Sequence, residues 1–210
     1  MKQNVILLLA TFALVSISMP YAKGQDKEQI IKKIAVANAE YKTIISPFTQ
    51  EKKMKGVKRE MIKKGTLYFN RATDELNMQY SQPQGEQLLI SNDKLVLIDK
   101  SARSTYSTRT DAMMKRLKWT LIYCIGGEIK KAAEINSATV NTIPGADYHT
   151  FELSVGQQVK GGWVKIELSY SKKDYTLCLM KLIEKNGNYT IYKTPTKELN
   201  VELAAGIFNN

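Results

Sequence analysis

The chain has 210 residues, with 31 Lys and Arg against 20 Asp and Glu, a net charge of +11 with its single His neutral. Apolar residues make up 43% and charged residues 24%, and there are 12 Gly, 5 Pro and 2 Cys, which excludes collagen-like, low-complexity and disulfide-framework chains. One domain is expected at this length, and the basic charge points to nucleic acid, an anionic membrane surface or an acidic partner.

Lys2 and the uncharged thirteen-residue run Val5 to Ile17 predict an export signal; a bilayer span needs about 20 residues. Ala22-Lys23-Gly24 sets small residues at the −3 and −1 positions, so cleavage is expected after Gly24, leaving residues 25–210 as a single domain of charge +9. Export turns the charge away from nucleic acid and toward a membrane surface or an acidic protein. A periplasmic location follows if the organism has two membranes.

Asp26 to about Ile45 is predicted as one amphipathic helix. Ile30, Ile34, Ala37, Tyr41 and Ile44 form its apolar stripe, and Pro47 ends it. From Phe48 onward the period falls to two. Gly65–Asn70 is a strand, and Leu76, Met78 and Tyr80 alternate with polar residues on the next. Gln87–Ser91 and Lys94–Asp99 form a hairpin about Asn92-Asp93. Asp111–Ile125 returns to helical spacing, with Met114, Leu117, Leu121 and Cys124 on one stripe and Gly126-Gly127 as its stop. Further strands are expected at about Ile129–Asn136, Tyr148–Val155, Trp163–Tyr170, Tyr175–Glu184, Asn188–Lys193 and Leu199–Leu203, with Asn186-Gly187 as the strongest turn signal. The fold class is therefore mainly β with helices: an antiparallel sheet curled into an incomplete barrel, its open side covered by helices.

Catalytic constellations are scarce. His149 is the only histidine and reads as a strand side chain, no G-x-G-x-x-G or P-loop is present, and no carboxylate cluster marks a metal site. Cys124 and Cys178 lie 54 residues apart without a C-x-x-C; they read as two small buried hydrophobes, although an oxidising compartment would permit a bond between them. The chain is expected not to be an enzyme and to need no cofactor or metal. A secreted hydrolase is the weakest of the functional classes.

Several segments carry a resemblance. Phe48-Thr49-Gln50 closing the first helix, Gly65-Thr-Leu-Tyr-Phe-Asn-Arg71, Leu76-Asn-Met-Gln-Tyr80 with Gln82-Pro83, the hairpin Leu88 to Asp99, and Lys181 to Tyr192 with Asn200 and Phe208 are similar in order and spacing to periplasmic lipoprotein carriers of the LolA type. Ala72 stands where the family usually has Pro, and Leu76 and Met78 where it tends to Phe and Trp, which marks a divergent branch. The resemblance implies a half-barrel with a helical lid, and a chaperone that buries lipoprotein acyl chains and carries them from inner to outer membrane. It also implies an inner-membrane lipoprotein-releasing transporter and an outer-membrane acceptor as partners of a monomeric carrier. A carrier or sensor of another lipid or glycolipid is the alternative.

An acyl-chain cavity would be lined by Leu67, Phe69, Leu76, Met78 and Tyr80, continued by Leu88, Ile90, Leu95 and Leu97. Met114, Leu117 and Leu121 would descend from the inserted helix, with Ile30 and Ile34 from the first. Arg71 matches the family's arginine, whose implied role is to hold the lid and couple its opening to cargo. Residues 51–64 and residues 100–118 are each +5. Lys52, Lys53, Lys63, Lys64, Arg103, Arg109, Lys115 and Arg116 from these segments are expected to flank the cavity mouth as a docking surface for anionic headgroups or an acidic protein.

Overall fold

The computed structural model of the protein describes residues 21–100, 102–156 and 162–209. The predicted leader lies outside these residues except for its last four positions. Those four open helix α1 (Tyr21–Ala39), which cleavage after Gly24 would shorten to residues 25–39.

Six strands follow: β1 (Thr43–Lys53), β2 (Met61–Asn70), β3 (Glu75–Gln82), β4 (Gln84–Ser91), β5 (Lys94–Asp99) and β6 (Ala102–Ser107). Helices α2 (Ala112–Ile125) and α3 (Ile129–Ile135) come next. The chain closes with β7 (Ala138–Ile143), β8 (Tyr148–Val155), β9 (Trp163–Ser171), β10 (Leu177–Glu184), β11 (Tyr189–Lys193) and β12 (Glu198–Leu199). All twelve strands belong to one antiparallel sheet in the order β6-β5-β4-β3-β2-β1-β11-β10-β9-β8-β7, with β12 beside β1. The order never closes on itself, so β6 and β7 are free edges and the expected incomplete barrel is what forms.

Four features depart from the sequence expectation. The first helix stops at Ala39 instead of continuing to Ile45, because Thr43-Ile44-Ile45 is a β-branched run and Pro47 forces extended backbone before it. Pro47 is tolerated inside β1 because that strand's second edge pairs with β12 at Ile44 and Ile45 and with β11 only from Thr49 onward. Residues 129–135 are helix, not strand: Lys130-Lys131-Ala132-Ala133-Glu134 are strong helix formers, and Ile129, Ala132 and Ala133 bury one face. Asn136 then closes that helix, its Nδ2 donating to Ala132 O and Thr120 Oγ1, each at 2.8 Å. Strand β12 has two residues where five were expected, because Asn200 takes a left-handed φ of 58° and its amide ties the chain to Lys42 N and Glu40 O instead. Strands β6 and β7 carry too few apolar residues to be seen in the sequence; both are exposed edges.

One core fills the concave side. Leu67, Phe69, Leu76, Met78, Ile90 and Leu95 come from the early strands, Leu153, Ile166 and Leu168 from the late ones, and Ile34, Leu121 and Ile129 from the three helices. The α1 face that meets this core is Ile31, Ile34 and Asn38, one position round from the predicted stripe, with Ile30 at its margin. Helix α2 begins as predicted: Asp111 Oδ1 accepts from Met113 N and Met114 N, and the helix stops at Gly126. On the outer face, Asn77, Leu89 and Val96 are also buried. The C-terminal segment lies near them, with Asn77 Nδ2 donating to Ile207 O at 2.5 Å and Phe208 in the same hollow as Leu89 and Val96.

Candidate lipid-binding site

Every residue expected to line the cavity reaches the concave core. Leu67, Phe69, Leu76, Met78, Leu88, Ile90, Leu95, Met114, Leu121 and Ile34 are buried, and Tyr80, Leu97, Leu117 and Ile30 are partly buried against them. Here they pack on one another. One void beside this core, bordered by Ile44, Leu67, Ile125 and Leu177, is about 20 Å³, room for one water. Side chains of the sheet and of all three helices belong to this one buried cluster, so a guest among them would have to displace the helical layer or its side chains.

Two residues of the Phe48-Thr49-Gln50 motif meet one partner. Both lie on β1, not on a helix end: Phe48 stands edge-on to the Tyr80 ring at 5.1 Å, and Gln50 Oε1 accepts from Tyr80 Oη at 2.5 Å. Burial pushes the Tyr80 phenol far up, so it stays a neutral donor. Gly65 lies between them, paired with Phe48 on one side and Tyr80 on the other. A Cβ there would stand 2.1 Å from Gln79 O and 2.8 Å from the Phe48 ring, so only glycine lets the two rings meet.

Arg71 follows the last residue of β2 and joins three segments. Its Nε donates to Tyr41 O in the α1–β1 connection at 3.1 Å, and its Nη2 to Gly126 O at the end of α2 at 2.6 Å. Its Nη1 meets Glu128 Oε1, just before α3, at 3.3 Å. Glu128 also pairs with Lys131, whose ammonium is held above its usual range first by that hydrogen bond. Helix α1 and the connection after it have their own ties to the β9–β10 turn: Asn38 Nδ2 donates to Tyr175 O at 2.7 Å and Tyr41 Oη to Asp174 O at 3.0 Å. The helical layer is thus pinned at the ends of β2 and β9 by backbone acceptors and by one guanidinium that forks to three partners. Asn38 and Glu128 carry no signal that singles them out in the sequence, although Asn38 breaks the apolar stripe four residues after Ile34; Tyr41 and Gly126 are read there only as a stripe residue and a helix stop. Beside the latch, Ile31, Ala35, Ala39 and Ile129 floor a hollow of about 620 Å³ between α1 and α3, with Arg71 and Glu128 on its rim.

The eight docking cations do not share one face. Lys52, Lys53, Lys63 and Lys64 lie on the β1–β2 hairpin, where Lys53 pairs with Glu60 at 3.6 Å and Lys63 with Glu86. Arg109 sits beyond the other end of the strands, paired with Asp93 at 2.5 Å in the β4–β5 turn. Arg103 borders the outer hollow that holds Phe208. Lys115 is exposed on α2, and burial lowers the Arg116 guanidinium in the same helix. Both cysteines are free: Cys124 is buried, its thiol pushed up to about 12 by burial, and Cys178 is half-buried on β10. His149 is a strand side chain stacked 5.7 Å from Tyr175. Among the described residues no three His, Cys, Asp or Glu gather as metal ligands, and no helix is long and apolar enough to cross a membrane.

The family profile described as outer membrane lipoprotein carrier protein LolA matches residues 39–210. The chain belongs to the LolA family. Comparison with curated proteins finds no match. Among solved structures it is similar to a LolA superfamily protein from Nitrosomonas europaea (11% identity, 87% of this chain and 97% of that one, TM-score 0.44). An uncharacterized conserved protein from Thermus thermophilus gives 9% identity, 88% and 93% coverage and a TM-score of 0.51. MucB in its complex with MucA from Pseudomonas aeruginosa gives 8% identity, 88% and 61% coverage and a TM-score of 0.50. At such identities the likeness is one of fold. Membership of a family of carriers supports a lipid- or lipoprotein-binding, carrier-type function.

Proposed function

We propose that the protein is an exported periplasmic carrier that buries the acyl chains of lipoproteins between its sheet and its helices and moves them from inner to outer membrane. The observation that carries this reading is the latch at Arg71. One guanidinium holds the α1–β1 and α2–α3 connections over an apolar interior contributed by both layers. Such a lid can swing without breaking the sheet, whose ladder is complete from β6 to β7 without it.

The energetics suit cargo transfer. Each methylene withdrawn from water contributes about 0.8 kcal/mol, so a long acyl chain is worth on the order of 10 kcal/mol. Opening exposes Ile34, Leu121 and Ile129 together with the sheet residues they cover. An entering chain would re-cover that surface and offset the loss of the Arg71 contacts. An inner-membrane transporter would load the carrier and an outer-membrane acceptor would relieve it.

Native mass spectrometry of protein purified from a periplasm in which it is expressed tests the reading. A co-purifying acylated protein, or uptake of a synthetic triacylated lipopeptide, is the expected result. A free glycolipid or phospholipid in its place would assign the same interior to a lipid carrier or sensor. A protein that takes up neither would overturn the carrier reading.

A further inference from the structure

We infer that the β1–β2 hairpin is a membrane-docking arm that seats an apolar tip in the surface of an anionic phospholipid bilayer. Residues 51–64 carry seven cations and two carboxylates. Among the described residues, ion pairs engage only Lys53 and Lys63 of those seven. Lys52, Lys55, Lys58, Arg59 and Lys64 remain to meet an anionic partner.

The arm projects from the sheet. The last residue of β1 in the β11 ladder is Lys53, opposite Tyr189, and the first residue of β2 in the β3 ladder is Lys64, opposite Gln82. Residues 54–60 therefore lie beyond both ladders, and Met61 and Ile62 follow as the first residues of β2, opposite Lys52 and Glu51; the arm is tied to its neighbours by Lys55 N on Asn188 Oδ1 at 2.8 Å, by Tyr189 Oη on Glu60 Oε1 at 3.4 Å and by the Lys63–Glu86 pair. Every residue from Lys55 to Ile62 is exposed.

Three apolar side chains sit among those charges: Val57, Met61 and Ile62, at 41%, 42% and 57% exposure. An acidic protein would complement the charge, but it would give no reason for aliphatic groups left exposed among the cations of a projecting hairpin. A lipid interface accounts for both, since cations meet headgroup phosphates while short apolar side chains enter the acyl boundary. The arm leaves β2 at the end opposite Arg71, so docking does not obstruct the latch. The inference does not depend on what occupies the interior.

The test is co-sedimentation of the full mature chain with vesicles of phosphatidylglycerol and phosphatidylethanolamine, against vesicles of phosphatidylcholine alone. Binding is expected only to the anionic vesicles and should weaken with added salt. The variant Lys55→Gln, Lys58→Gln, Arg59→Gln, Lys64→Gln is expected to lose on the order of 1,000-fold in affinity. Val57→Ser, Met61→Ser, Ile62→Ser should lose about tenfold. Unchanged binding by both variants, or no binding of the parent protein to anionic vesicles, would overturn the proposal. Lipopeptide uptake is measured on the same samples. Normal uptake with tip-independent vesicle binding defeats the docking arm alone, and lost uptake with tip-dependent binding defeats the carrier reading alone.

Discussion

Strand β2 carries a cation-rich turn at one end and a single arginine at the other, and the protein uses the two ends differently. At the Arg71 end the side chain is four-fifths buried and its guanidinium spends its donors on Tyr41 O, Gly126 O and Glu128. At the hairpin end eight consecutive residues are exposed, and among the described residues most of the cations are in no ion pair. The same charge is structural where backbone carbonyls converge on it and available where nothing does. Position on the strand, not residue type, decides between holding the protein together and meeting something else.

Gly65 joins the two ends, and its replacement should have the largest effect. Valine there would drive a Cβ into Gln79 O and into the Phe48–Tyr80 ring pair. Neither backbone can retreat, since β2 is paired on both sides. We expect Gly65→Val to cost roughly 3 kcal/mol or more, lowering Tm by about 6–12 °C for a domain of this size. A melt within 2 °C of the parent, about what a cost under 1 kcal/mol gives, would show that the β2–β3 ladder is not rigid and that the two ends cannot be coupled through it.

Arg71→Leu ranks next. It leaves Gly126 O and Tyr41 O without their donor and Glu128 with only Lys131, for a loss of about 2 kcal/mol. Arg71→Lys keeps the charge but cannot fork to three acceptors, so it should recover at most about half of that. The distinguishing measurement is hydrogen exchange. Amides of α1 and α3 should open faster in Arg71→Leu while those of β8–β10 keep their protection. Uniform acceleration across the sheet would make Arg71 an ordinary stabilising residue and remove the latch.

The interior was more legible in the sequence than either end. Period-two alternation exposes an inward face directly, so Leu76 and Met78, or Leu88 and Ile90, could be assigned without knowing what they touch. Arg71 was legible only through its likeness to a family motif; its partners are backbone carbonyls, which carry no residue signature. Strand β1 was partly misread as helix because Tyr41 and Ile44 continue a spacing of three and four, and tertiary pairing with β2 and β12 overrode it. Helix α3 was misread because seven residues are too few for periodicity to separate helix from strand. The separation of the docking cations could not be read at all. Net charge over a segment says nothing about which face or which strand end bears it.

The smallest effect should come from the hairpin end, and it sharpens the comparison most. Replacing Lys55, Lys58, Arg59 and Lys64 by Gln removes four charges where Arg71→Leu removes one. The four are exposed, none takes part in an ion pair among the described residues, and the Lys55 contact to Asn188 uses its backbone N–H, which Gln retains. Exposed substitutions of this kind change stability by no more than about 0.5 kcal/mol, and relief of like-charge repulsion within the turn would make the sign slightly favourable. Urea unfolding should therefore superimpose on that of the parent, with the same midpoint and the same slope. A loss above about 1 kcal/mol would show that these cations hold the hairpin in place, and the two ends of β2 would then differ in degree only. A neutral result, beside an Arg71→Leu variant that loosens the helices, would show one strand dividing its positive charge between holding a lid and leaving a surface free to bind.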